Sequence, residues 1–164
     1  MNLHPGLSFY SFEATYSIES MGEPIKDDIL RVRETGESTN APYGLTKLEN
    51  RSYAQFNPET SNVLKADSDP ENFGLKGEDF PQGQLTFSGE GTDKLFGTAR
   101  GSSTYDLKNL VGSGSDTITI TGGEGRFLGA KGILVFLETS ILSPDPTAPA
   151  KATWFVKGSF QTGL

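Results

Sequence analysis

A chain of 164 residues is the right length for one domain, 1–164, with a substantial core. It carries 14 Lys and Arg against 21 Asp and Glu, a net charge of −7, which argues against nucleic acid and anionic membranes as partners. The absence of cysteine removes disulfides, thiolate nucleophiles and cysteine metal sites, and it fits a reducing, cytoplasmic setting.

The chain opens on Met1-Asn2-Leu3-His4-Pro5-Gly6, with neither the basic nor the long apolar region of a signal peptide. His4 is the single histidine, so one chain cannot build a Ser-His-Asp triad or a multi-histidine metal site. Leu7 to Ser20 predicts a strand of strict period two. Tyr10, Phe12, Ala14, Tyr16 and Ile18 share one face, and Ser11, Glu13, Thr15, Ser17 and Glu19 share the other. Met21-Gly22-Glu23-Pro24 reads as a turn. A more charged strand follows over Asp28 to Ser38, then a break at Asn40 to Leu45 and a weak strand over Leu48 to Phe56.

From Asn57 to Gln84 no period survives, and Pro58, Pro70 and Pro81 punctuate the stretch. It reads as a long, acidic surface loop. Asp67, Asp69, Glu71 and Glu78 fall at four spacings of a calcium loop. Asn72, however, stands where that loop needs glycine, and no helices flank it.

Strands are dense after Gln84: Leu85 to Phe87, Lys94 to Arg100, Ser103 to Leu107 and Asp116 to Thr121, with Gly112-Ser113-Gly114-Ser115 as a turn. Ile118 and Ile120 alternate against Thr117, Thr119 and Thr121. Gly122 to Gly132 is a glycine-rich bend. Ile133 to Leu142 is a strand that starts apolar on both faces, and its run Ile133 to Leu137 is far too short to span a bilayer. Ser143 to Ala150 holds Pro144, Pro146 and Pro149 and reads as a loop. Lys151 to Thr162 is the last strand, with Trp154, Val156 and Phe160 on one face. About eight strands and no capped helix predict an all-β sandwich or barrel, and closure would remove the exposed edges. Gly122-Gly123-Glu124-Gly125 is no phosphate loop, because a strand follows it and the Lys-Ser/Thr is missing.

With histidine and cysteine excluded, carboxylates, tyrosines, lysines and arginines remain for chemistry. Glu13, Glu34 and Glu138 interrupt otherwise apolar or small-residue strands. A carboxylate turned into a barrel would be desolvated and serve as acid or base; turned outward it would be solvated or pair with Arg31, Arg33 or Arg126. Glu13 and Glu138 are the candidate catalytic residues. Tyr16, Tyr43 and Trp154 are the candidate ligand-binding residues, with core packing the competing role for aromatics. No metal or cofactor is expected.

The stretch Ile120-Thr121-Gly122-Gly123-Glu124-Gly125-Arg126-Phe127, continued by Gly129-Ala130-Lys131-Gly132, resembles the allene oxide cyclase and dirigent-like superfamily. Trp154-Phe155-Val156-Lys157-Gly158 is similar to that superfamily's closing strand. The resemblance covers about a third of the chain. It implies a closed eight-stranded antiparallel barrel with a cavity for a small apolar ligand, and a homo-oligomer, dimer or trimer. In that superfamily the barrel shapes an unsaturated fatty acid epoxide for cyclisation, or steers phenoxy radical coupling. The cyclases' polar stretch has no match in Phe12-Glu13-Ala14-Thr15-Tyr16, the Asp and Arg groups of dirigent sites do not align with this chain, and shared fold does not transfer function. Three expectations follow: a binder of a small apolar molecule, a cofactor-free cyclase or isomerase, and a structural or interaction protein with a filled core.

Overall fold

The computed structural model describes residues 6–145 and 147–163; His4 and Pro146 lie outside the described residues. It is all-β. The strands are β1 (Ser8–Lys26), β2 (Ile29–Glu37), β3 (Lys47–Phe56), β4 (Val63–Asp67), β5 (Gln84–Ser88), β6 (Lys94–Asp106), β7 (Val111–Glu124), β8 (Lys131–Ile141) and β9 (Ala150–Thr162). Short 3₁₀ turns occupy Pro42–Gly44, Pro70–Phe73 and Gly125–Phe127.

Every pairing is antiparallel, and the pairings return to their start. β1 joins β2 and β9, β9 joins β8, β8 joins β7, β7 joins β6, and β2 joins β3. Between β3 and β6 one place is shared end to end by β4 and β5, each of which pairs with both neighbours. Nine strands therefore make a ring of eight places, which leaves few backbone groups on an open edge.

Period two decides which residues face inward. On β1, Phe12, Ala14, Tyr16 and Ile18 are buried while Ser11, Glu13 and Ser17 are exposed. On β7, Ile118 and Ile120 point in and Ser113, Ser115, Thr117, Thr119 and Thr121 point out. β-branched residues suit such a half-buried pleat. On β8 the outward set is largely apolar: Ile133, Val135, Leu137 and Ile141 are exposed alongside Lys131 and Thr139, with Phe155 beside Leu137 on β9.

One end of the ring is packed solid. Phe127, carried on the Gly125–Phe127 turn, meets Tyr10, Tyr43 and Phe160 at ring-centroid distances of 5.1, 5.8 and 5.2 Å. Phe12, Tyr16 and Phe87 continue the plug inward. Gly125 has φ +67° and Gly129 +75°, a left-handed backbone that lets the bend double back and insert Phe127. The glycine-rich motif thus closes the filled end.

The structure departs from the sequence reading at four places. β1 runs through Met21-Gly22-Glu23-Pro24 and turns only at Asp27, which has φ +45°. β9 stops opposite Ser20, so beyond that point β1 pairs only with β2, and Pro24 costs no bond on the free side. The stretch 57–84 contains β4, too short to display a period. Its remainder folds outside the ring, where Phe73, Leu75 and Phe80 pack with Ile29 and Tyr53. Lys94 to Leu107 is one strand except for its last residue, not two. Gly112-Ser113-Gly114-Ser115 lies within β7 rather than in a turn, because these glycines face inward against bulkier neighbours.

Candidate functional site

At the end opposite the Phe127 plug the interior is open, with a cavity of about 560 Å³. It has three levels. The rim is mostly apolar, with Met21, Leu30, Val32, Phe56 and Leu107, and it also carries Ser61, Ser143 and the exposed Asp145. Below it runs a polar belt of Glu34, Asn50, Ser52, Ser103, Tyr105, Asp116, Glu138 and Ser140. The floor is Ala99, Phe136 and Trp154, the last two stacked at 3.9 Å and 9°.

Strand parity and register assemble the belt. Glu34 and Asn50 are partners across β2 and β3, and Asn50 Nδ2 donates to Glu34 Oε1 at 3.0 Å. Glu138 lies opposite Gly114 on β7 and Trp154 on β9, and Ser140 Oγ donates to its Oε1 at 2.8 Å. Asp116 shares the inward face of Ile118 and Ile120, opposite Gly101 and Phe136. Ser103 Oγ donates to the Tyr105 hydroxyl at 3.2 Å. Glycine makes room for two members. A Cβ at position 101 would overlap the Asp116 carboxylate, and one at 112 would overlap the Tyr105 ring.

The belt gathers three carboxyls, and no lysine or arginine lines the cavity. Burial, reinforced by the charges of Glu138 and Asp116, pushes Glu34 up from 4.5 to about 8, while the bond from Asn50 opposes the rise. Asp116 is pushed from 3.8 to about 7, first by burial and then by the charge of Glu138. Burial also raises Glu138 against the opposing bond from Ser140, and raises Tyr105. Glu34 keeps some exposed area because it faces a cavity that opens to solvent. Two buried polar atoms on this wall have no hydrogen-bond partner: Trp154 Nε1 and Asn50 Oδ1. Such atoms cost about 1–3 kcal/mol each when left dry and unpaired.

The candidates from sequence fall on different sides of the ring. Glu138 and Trp154 line the cavity. Glu13 is exposed on the outer face, opposite Lys157, because it has the parity of Ser11 and Thr15. Tyr16 is buried in the filled half, where its hydroxyl donates to the Leu45 carbonyl at 2.6 Å. Tyr43 packs on Tyr10 and Phe127 at the plug, with its hydroxyl donating to the Ser11 carbonyl at 2.5 Å. Glu34 does face inward. Sequence reasoning missed Asp116 and Asn50, although Asp116 has the inward parity of Ile118 and Ile120.

The acidic stretch is held by its own contacts. Asp67 accepts from Arg100 Nε at 2.8 Å, Asn72 Nδ2 at 2.7 Å and the Asp69 amide at 2.9 Å, and Asp69 caps the Pro70–Phe73 turn. Among the described residues no three acidic or histidine side chains converge closely enough to hold a metal ion. A larger depression of about 790 Å³ lies on the outer face, over Glu19, Glu37, Lys47 and Lys151. Its mixed charges are exposed, whereas the interior cavity concentrates acids in a shielded space.

No family model matches the chain, and no curated protein or solved structure matches it. No helix among the described residues is long and apolar enough to cross a membrane.

Proposed function

We propose that the protein is a small-molecule-binding β-barrel of the allene oxide cyclase-like kind, taking up a ligand with an apolar body through the open end. The observation that carries this reading is the unequal filling of the interior: one half is plugged with aromatic rings, and the other is a cavity of about 560 Å³ behind a mostly apolar rim. That volume lies within the roughly 300–1,000 Å³ of ordinary ligand pockets. A filled-core structural protein has no use for such a space, since each void sacrifices packing.

The protein's single tryptophan, Trp154, forms part of the cavity floor and reports occupancy. Titration with the neutral probe octan-1-ol is expected to shift Trp154 emission saturably. Ala99→Phe, which fills the floor, is expected to remove that response while leaving a cooperative melt. A probe response equal in both proteins, or no saturable response in either, overturns the reading.

A cofactor-free cyclase or isomerase is the second reading. What favours it is the pair Glu34 and Asp116, whose carboxyls change charge near neutrality within one shielded space. One can then donate a proton while the other accepts.

A further inference from the structure

We propose that the ligand of this cavity is an amphiphilic amine: its apolar body lies against the rim and its protonated nitrogen sits in the belt between Glu34, Asp116 and Glu138. The proposal rests on the ligand-binding reading above and adds the chemistry of the ligand's head.

Four observations converge on it. The belt presents three carboxyls and no cationic side chain, so the cavity selects by sign against a carboxylate or phosphate head. These carboxyls do not converge on a point suited to a metal ion. An ammonium, whose N–H···O contacts run to about 2.8 Å, tolerates a wider spacing of carboxyls than a metal ion does. Asn50 is 3 % exposed, and its Oδ1 has no donor, while its Nδ2 is already committed to Glu34. An ammonium N–H supplies the missing donor. The floor is a stacked Phe136–Trp154 pair, and aromatic faces attract organic cations.

The rim explains why the amine carries an apolar tail. Met21 and Leu107 are about half exposed at the mouth, a place where apolar side chains gain nothing from water. An alkyl chain descending past them covers that surface. Bringing the cation to the belt also relieves the mutual repulsion that Glu34, Asp116 and Glu138 otherwise carry.

The test is a set of three probes of equal chain length, n-octylamine, octan-1-ol and octanoate, titrated against the full chain at pH 9 with Trp154 emission and calorimetry as readouts. Octylamine is expected to bind at least tenfold tighter than octan-1-ol, and octanoate weaker than either. Glu138→Gln and Glu34→Gln are each expected to reduce the amine-to-alcohol ratio at least threefold. The ratio is compared within each variant, so a general loss of stability does not imitate the effect. Octylamine binding no tighter than octan-1-ol, or a ratio unchanged in both variants, overturns the amine assignment and leaves the cavity reading standing. Failure of all three probes to bind overturns both.

Discussion

Replacing Glu34 by Gln isolates what it costs this fold to bury an ionisable group. The substitution keeps the size of the side chain and an acceptor for Asn50 Nδ2, and removes only the ability to ionise. In the folded protein the Glu34 carboxyl is raised from 4.5 to about 8, chiefly by burial. Below pH 4.5 both folded and unfolded chains hold the proton, so wild type and Glu34→Gln should be equally affected by pH. Between pH 4.5 and 8 the unfolded chain releases the proton and the folded chain retains it, so ionisation favours unfolding. Wild-type stability is therefore present in full at low pH and is lost as pH rises toward 8.

At about 1.4 kcal/mol for each tenfold change in proton affinity, the ceiling on this loss is about 5 kcal/mol. The cavity opens to solvent at the rim, and water screening reduces the realised figure to about 2 kcal/mol. For a chain of this size, 1 kcal/mol moves the melting temperature by about 2–4 °C. Glu34→Gln should then melt about 4–8 °C above wild type at pH 9 and level with it near pH 4. Thermal melts by circular dichroism, run on both proteins at pH intervals between these limits, give the difference curve. A flat curve, or a variant less stable than wild type at pH 9, refutes the burial argument at Glu34.

Two further outcomes are expected. Phe127→Ala, which removes the centre of the aromatic plug, should lower stability by about 3–5 kcal/mol in urea unfolding, because neighbouring rings cannot collapse into the space. A loss below about 1 kcal/mol would mean that the plug is not the fold's anchor. If the acid–base reading holds, the protein should catalyse deuterium uptake from D₂O into an enolisable ketone such as octan-2-one, and Asp116→Asn should abolish most of it. Exchange at the rate of buffer alone would remove that reading.

The all-β architecture was legible because alternation survives along the long strands. Tyr10 to Ile18, Ile118 and Ile120, and Trp154 to Phe160 each announce an inward face. Parity alone also assigns Glu138, which shares its face with Leu134 and Phe136, and Glu13, which does not share the face of Phe12. The division of aromatics between plug and floor was not legible. Tyr16 and Trp154 are register partners on adjacent strands, both inward and both buried, yet only Trp154 touches the cavity. That outcome depends on the depth at which Phe87 and Phe12 fill the ring, a property of several strands together. Glycine misled in one instance. Gly112 and Gly114 have the composition of a turn, but their function is volume: they yield interior space to Tyr105 and the belt. β4 escaped notice because five residues with irregular register carry too little pattern.

On the ligand-binding reading, the unequal filling of the ring separates two tasks along one axis: residues near Phe127 hold the fold together, and Glu34, Asp116 and Glu138 face whatever would enter the mouth. Except for Glu34 on β2, the belt residues stand on strands that also carry residues of the packed core, so their spacing is set in part by packing away from the cavity. On the same reading, exchanging small cavity-lining residues such as Ala54, Ala66 or Ser52 would change the guest without altering the packed half.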